Sequence, residues 1–241
     1  MSHPDLPGRR RIYLMRHAEV SYFDEHGTPV DPRSVVLTDL GRRQAAKMAV
    51  ALADVPFDRA VCSGMPRSRE TALAVLAGRE IPIEDQPDFR EIRAGRLREI
   101  PPERRRAELV HVLERAGLPG ASFAGGEAFA AFEERVLAAF SSLLSEAGWR
   151  RLLLVAHDAV NRVLLAWAAQ AGLKAVAAFE QDMCCLNLID VDIVDGIVER
   201  RIIRLMNYTP YDAAKANLFA TSMEQVFGRY LDRASAAEKD G

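Results

Sequence analysis

Short apolar runs of strand length alternate with segments of helical periodicity along most of this chain, and such an alternation admits few folds. Each strand and helix can bury its apolar face only by joining a sheet with helices packed on it. Arg11-Ile-Tyr-Leu-Met15 is the first run of strand length. Gly41 to Leu52 carries Ala45, Met48, Ala49 and Leu52 at helical spacing. Arg59-Ala-Val-Cys62 reads as a second buried strand and Arg69 to Leu76 as a helix. Ile81-Pro-Ile-Glu84 reads as a short edge strand, because Pro82 cannot donate to a ladder. Phe129, Phe132, Val136, Phe140, Leu143 and Leu144 share one face of a long helix. Arg151-Leu-Leu-Leu-Val-Ala156 is the clearest buried strand, and Val160 to Ala171 continues as an apolar helix. Leu186 to Val191 and Ile197 to Leu205 are strand-like, with a hairpin signal at Asp195-Gly196. The order predicts an α/β three-layer sandwich: a mostly parallel central sheet with one late antiparallel strand, and helices on both faces.

At 241 residues the chain can bury a substantial core. The expected organisation is a flexible N-terminus over 1–10, one α/β domain over 11–207, and a helical tail over 208–241 with a helix around Ala220 to Ala234. Two stretches break the alternation. Ser21 to Val36 is polar and turn-rich and reads as a loop. Arg90 to Gly126, with Pro101-Pro102 and the run Arg104-Arg105-Arg106, reads as a lid-like excursion off the sheet. The formal charge of −2 gives no electrostatic footprint for nucleic acid. No apolar run is long enough to span a bilayer, and no apolar h-region follows the basic residues near the N-terminus. The expected location is therefore the cytoplasm. The odd number of cysteines, Cys62, Cys184 and Cys185, argues against a disulfide framework.

Ligands of open α/β sheets gather at the carboxyl ends of parallel strands. The first predicted strand runs into Arg16-His17, the second into Ser63 and then Arg67, and the strongest ends at His157-Asp158. Glu91 follows the edge strand. Arginine holds phosphate through a planar fork of donors and stays charged at working pH. A neutral imidazole is a competent nucleophile toward phosphorus near neutrality. A leaving alkoxide needs a proton, which a carboxylic acid supplies if its surroundings raise its pKa. Phosphoryl transfer asks mainly for alignment and positive charge.

The local sequences around these residues are similar to those of the histidine phosphatase superfamily, the phosphoglycerate-mutase-like enzymes. Leu14-Met-Arg-His-Ala-Glu19 resembles the strand running into Arg-His-Gly-Glu, with Ala18 for glycine. Leu37-Thr-Asp-Leu-Gly-Arg-Arg-Gln-Ala45 resembles the Leu-Thr-x-x-Gly-x-x-Gln-Ala helix start. Ser63 to Ala72 resembles Ser-x-x-x-Arg-Ala-x-x-Thr-Ala. Glu91 with Gly95 resembles the start of Glu-x-x-x-Gly-x-x-Glu, whose second acid here, Glu99, falls one residue late. Gly125-Gly-Glu127 resembles the Gly-Gly-Glu-Ser turn, and Val155-Ala-His157 the second-histidine motif. The segments keep the family's order across roughly residues 11 to 205. The resemblance implies that His17 is the nucleophile, that Arg16, Arg67 and His157 form the phosphate pocket, and that Glu91 is the proton donor. It implies no metal and no organic cofactor. The implied partner is a phosphorylated small-molecule substrate, with no nucleic acid and no membrane; a homo-oligomer is left open.

The departures matter as much. Phe23 stands where the family often has an asparagine, so the phosphate contacts of the Ser21 to Val36 loop are in question. Asp158-Ala159 replaces the family's frequent Gly-Gly. A carboxylate there would repel phosphate, so Asp158 is expected to turn away and offer its backbone N–H at the helix start. Three functions are compared. A phosphatase hydrolyses the phosphohistidine; a cofactor-dependent phosphoglycerate mutase returns the phosphate; a catalytically silent relative only binds. The mutases' Glu-Arg-His-Tyr-Gly-Gly and His-Gly-Asn stretches are absent here, and the core residues are all present, which favours the phosphatase. Outside the site, Arg104 to Arg106 are expected on a solvated helix face. Cys184-Cys185 are expected in the core, His3, His26 and His111 exposed, and Trp149 and Trp167 in packing.

Overall fold

The computed structural model describes residues 8–24, 28 and 30–237. In chain order it contains β1 (Arg9–Arg16), α1 (Asp39–Ala51), β2 (Arg59–Cys62), α2 (Pro66–Val75) and β3 (Ile83–Asp85). Then come α3 (Pro102–Leu109), α4 (Phe129–Ser145), β4 (Arg151–Ala156), α5 (Asp158–Ala168), β5 (Leu186–Val194), β6 (Ile197–Tyr208) and α6 (Ser222–Ala237). Short 3₁₀ segments of three to seven residues link several of them. The strand order is β3-β2-β4-β1-β5-β6. The first four strands in that order are parallel, and β5 pairs antiparallel with both β1 and β6. Among the sheet strands β5 alone therefore runs against the rest, as the sequence predicts, and β6 turns back with them.

The helices sort cleanly onto the two faces. Met48, Ala45, Ala72 and Val75 of α1 and α2 pack on Tyr13, Met15, Ala60, Cys62, Leu153 and Val155. Phe132, Val136, Phe140, Val160, Val163 and Leu164 of α4 and α5 pack on Ile12, Leu14, Val61, Leu152 and Leu154. Alternate residues of one strand thus serve opposite cores, which is why Leu152 to Ala156 is apolar without interruption. β4 lies between β1 and β2, yet its outgoing helix covers the opposite face from theirs. The loops part there, and a crevice opens at the carboxyl edge. Register levels that edge: Arg16 faces Ala156, and Cys62 faces Val155.

Several boundaries differ from the sequence expectations for local reasons. α2 begins at Pro66, ahead of the expected Arg69, because proline is preorganised for the first helical position. α5 begins at Asp158, directly after His157, and ends at Ala168. β3 starts just past Pro82 at the sheet edge. Asp195 (φ 50°) and Gly196 (φ 80°) both adopt the left-handed conformation of a type I′ turn and join β5 to β6. The polar N-terminus expected over 1–10 is shorter, since Arg9 and Arg10 already belong to β1; residues 1–7, with His3, lie outside the described residues, as does His26. The tail helix extends to Ala237 and packs Met223 and Phe227 onto the α4–α5 core.

Arg104 and Arg106 are exposed and Arg105 half-buried on α3, and Arg104 pairs with Glu108 at 2.6 Å. Cys184 and Cys185 are buried and free, and burial pushes the Cys185 thiol up to about 12. The Trp149 indole donates to the Leu143 carbonyl, and Trp167 stacks edge-on against Phe140. His111, expected to be exposed, is half-buried beside Glu114.

Candidate active site

His17 leaves the carboxyl end of β1 with its backbone held on several sides. Its N–H donates to the Ala156 carbonyl, and the Ala18 N–H donates to Thr71 Oγ1 at 2.9 Å. The next amide, of Glu19, donates to Gln44 Oε1, and the Thr38 hydroxyl donates to the Glu19 carboxylate. Thr38 also caps α1 by accepting from the Gly41 N–H. A side chain at Gly41 would place its Cβ 2.2 Å from the Glu19 carbonyl oxygen, so the helix and the histidine loop approach closely only with glycine there. The motif residues Thr38, Gly41, Gln44 and Thr71 are thus supports of the histidine loop rather than members of the pocket.

The orientation of His17 is fixed by one bond. Its Nδ1 lies 2.8 Å from the Ala18 carbonyl oxygen, which can only accept. Nδ1 therefore carries the proton and Nε2 the lone pair. Burial, then Arg67 and Arg16, hold the imidazole pKa well below its usual value. The ring is neutral at pH 7, 2% exposed, and its centroid is 5.2 Å from that of His157. His157, at the end of β4, is likewise buried and held neutral by burial and by Arg67. Its Nε2 is 2.7 Å from Ser63 Oγ. When Ser63 donates, the proton sits on Nδ1.

Two buried arginines flank the rings. Arg16 Nη1 donates to the Gln181 carbonyl and Arg67 Nη1 to the Pro32 carbonyl, each at 2.6 Å. Arg16 Nε, Arg67 Nε and His157 Nδ1 are buried without a hydrogen-bond partner among the described residues. An unpaired buried donor costs about 1–3 kcal/mol. The two guanidinium N–H groups, joined by His157 Nδ1–H in the tautomer that a donating Ser63 sets, make a cradle that a tetrahedral oxyanion would satisfy.

Glu91 reaches the site from the excursion. Its carboxylate accepts from the Ile92 N–H at 3.0 Å and from the Ala159 N–H, at the start of α5, at 3.2 Å. Burial, and next the charge of Asp158, raise its pKa against the pull of those N–H groups and Arg16. Glu127 and Arg135 hold the loop: Glu127 accepts from the Arg93 N–H, Arg135 bridges to Glu127, and Arg135 Nη1 donates to the carbonyls of Asp88 and Arg90. The other carboxylates in or beside the family-like segments stand elsewhere, Glu19 on Thr38 and Glu99 exposed beside Arg96.

The structure thus brings Arg16, His17, Arg67, Glu91, His157 and Asp158 to one edge of the sheet. Asp158 turns as expected only in part. Its carboxylate binds Arg162 and Ser222, yet it stays 3.4 Å from Arg16 Nη1. The first helical N–H with a carboxylate partner is that of Ala159, bound to Glu91. Sequence reasoning missed Tyr22, whose ring lies 5.8 Å from the Arg67 guanidinium. It also missed Arg162 and Ser222. The loop carrying Tyr22 has no periodicity to read, and Ser222 is far away in sequence. Among the described residues no group of three or more His, Cys, Asp and Glu is placed to hold a metal ion, and no helix is long and apolar enough to cross a membrane.

The family model described as histidine phosphatase superfamily (branch 1) matches residues 12–201. The adenosylcobalamin/alpha-ribazole phosphatase of Salmonella typhimurium is 29% identical over 193 residues, covering 75% of this chain and 90% of the relative. The crystal structure of the alpha-ribazole phosphatase from Shigella flexneri superimposes with a TM-score of 0.63 at 26% identity, covering 82% of this chain and 96% of that one. A mycobacterial glucosyl-3-phosphoglycerate phosphatase shares the fold with a TM-score of 0.68 at 20% identity, over 83% of this chain and 99% of the other.

Proposed function

The chain belongs to the histidine phosphatase superfamily, and from that premise we propose that it hydrolyses a small-molecule phosphate monoester through a phosphohistidine on His17. The observation that carries the reading is the Nδ1 bond to the Ala18 carbonyl, which leaves the Nε2 lone pair of a neutral imidazole free beside two arginines.

In the first step Nε2 attacks phosphorus as the ester P–O bond breaks. Arg16, Arg67 and His157 hold the non-bridging oxygens while charge develops on them. Glu91, whose pKa is raised by desolvation and by the charge of Asp158, acts in its protonated form and gives that proton to the departing oxygen. In the second step Glu91, now a carboxylate, takes a proton from water as that water attacks phosphorus and the P–N bond breaks. Inorganic phosphate leaves, and both residues return to their starting forms. The curated relative and the Shigella structure carry alpha-ribazole phosphatase names, so alpha-ribazole phosphate is the first substrate to try in a screen of phosphorylated metabolites.

The test is trapping. Enzyme quenched in denaturant during turnover of a ³²P-labelled ester should retain label that is acid-labile and base-stable, as a phosphoramidate is. His17→Ala should keep its circular dichroism, retain no label and lose turnover. Substantial turnover by a folded His17→Ala protein would remove the proposal.

A further inference from the structure

Asp158 puts a negative charge against a group that is meant to hold a phosphate. It is 5% exposed, and its Oδ2 lies 3.4 Å from Arg16 Nη1. A carboxylate and a phosphate compete for the same guanidinium fork, and the carboxylate has the advantage of being always present. The structure contains an answer to that competition. Arg162 Nε donates to Asp158 Oδ1, and the Ser222 hydroxyl donates to Oδ2 at 2.6 Å. Arg162 Nη2 donates to the same Ser222 oxygen at 3.1 Å and pairs with Glu180 at 3.2 Å. The Ser222 N–H donates to Glu180 Oε1 at 2.9 Å. Ser222 and Arg162 are each 2% exposed and Asp158 5%, so the bonds among these three are shielded from bulk water, while Glu180 is about a third exposed. Its hydroxyl uses its one proton on Asp158 and a lone pair on Arg162, so nothing else in the network can replace it. Ser222 is also the first residue of α6 and lies beyond the 12–201 family match.

We propose that Ser222 is a positioning residue for the phosphate pocket: with Arg162 it restrains the Asp158 carboxylate from closing onto Arg16, so that Arg16 stays open to phosphate. The C-terminal helix thereby completes the active site from outside the family core. This inference rests on the reading of Arg16 as a phosphate ligand. A purely structural Ser222 would anchor α6 and nothing more, and the two roles separate in a double-mutant cycle.

The probe is inorganic phosphate, titrated calorimetrically into the full-length protein at a temperature where circular dichroism shows every variant folded. Ser222→Ala should weaken phosphate binding on the order of tenfold, the effect of losing one hydrogen bond to a charged group. Ser222→Thr, which keeps the hydroxyl, should restore most of it. In an Asp158→Asn background, where no carboxylate competes for Arg16, Ser222→Ala should change the affinity less than about twofold. Unchanged affinity in folded Ser222→Ala, or an equal loss in the Asp158→Asn background, would overturn the proposal. If the alanine variant does not fold, Ser222→Cys, close in size and a weaker donor, is read by the same two criteria. The phosphatase reading fails separately: a wild-type protein that shows this coupling but turns over no phosphate ester keeps the clamp and loses the activity.

Discussion

Glu91→Gln tests the proton donor without emptying the site. The glutamine keeps the length and shape of the side chain, so Arg16, Arg67 and both histidines stay where they are. What changes can be read from its two contacts. One carboxyl oxygen accepts from the Ile92 N–H and the other from the Ala159 N–H. An amide can offer its oxygen to only one of them and turns an N–H toward the other. That lost bond costs about 1 kcal/mol, up to roughly tenfold in rate, and it falls on every substrate alike. The lost proton falls unequally. An alkyl phosphate leaves as a strongly basic alkoxide and needs protonation, whereas p-nitrophenolate leaves well without it. General acid catalysis contributes about 10²- to 10⁴-fold, so the alkyl ester should lose that much beyond the common factor. The assay is kcat/KM for p-nitrophenyl phosphate and for an alkyl phosphate, after burst kinetics show that phosphohistidine formation is the slow step. Arg67→Ala is the control and should damage both substrates. Equal losses for Glu91→Gln would refute Glu91 as the acid.

Activity should survive dialysis against a chelator, measured by turnover before and after; a need for added zinc or manganese would point to a metallohydrolase. Arg135→Ala should act like a weaker Glu91→Gln, because it frees the loop without touching the phosphate ligands: alkyl phosphate turnover should fall more than p-nitrophenyl phosphate turnover, while phosphate affinity, read calorimetrically, stays within about threefold. Phe132→Ala should destabilise the fold by about 3–5 kcal/mol in denaturant titration, since Phe132 is fully buried in the α4–α5 core.

The fold was legible where burial is two-sided. Leu152 to Ala156 serves both cores and therefore shows no alternation, and the strand bounds come out to the residue. Helix starts were less legible, because Pro66 and Asp158 begin α2 and α5 before any apolar period appears. The site was legible through chemistry carried at strand ends, where a residue type such as Arg16 or His157 coincides with a predictable position. Tyr22 and Ser222 were not, for two different reasons. Tyr22 sits on an irregular loop, where no period links sequence to direction. Ser222 reaches Asp158 across 64 residues of chain through a tertiary contact that no local pattern encodes. The position of Asp158 did give a warning: a carboxylate beside a phosphate ligand requires a neutralising partner. It did not say that Arg162, one helical turn on, would supply part of it.

Within one pocket, His17 and Glu91 are pushed in opposite directions, and the sign of each shift sets the pH profile. The active form needs His17 neutral and Glu91 protonated. Burial and the charges of Arg67 and Arg16 lower the His17 pKa, so the acid limb of kcat/KM should lie well below the usual histidine value of about 6.5. Burial and the charge of Asp158 raise the Glu91 pKa, so the alkaline limb should lie above the usual glutamate value of about 4.3. The groups facing Glu91 are Asp158 and the Ala159 N–H from α5, Arg16 from the end of β1, its neighbour's Ile92 N–H, and Tyr22. A bound phosphate dianion adds negative charge to that set, favours the protonated acid, and should carry the alkaline limb of kcat above that of kcat/KM. Asp158→Asn removes a charge that raises Glu91 and at the same time leaves Arg16 uncompensated beside it. Both changes favour the ionised carboxylate, so the alkaline limb of kcat/KM should move to lower pH, while the acid limb, governed by His17, moves less. An alkaline limb that stays in place or moves up in a folded Asp158→Asn protein would show that Asp158 does not set the protonation of Glu91.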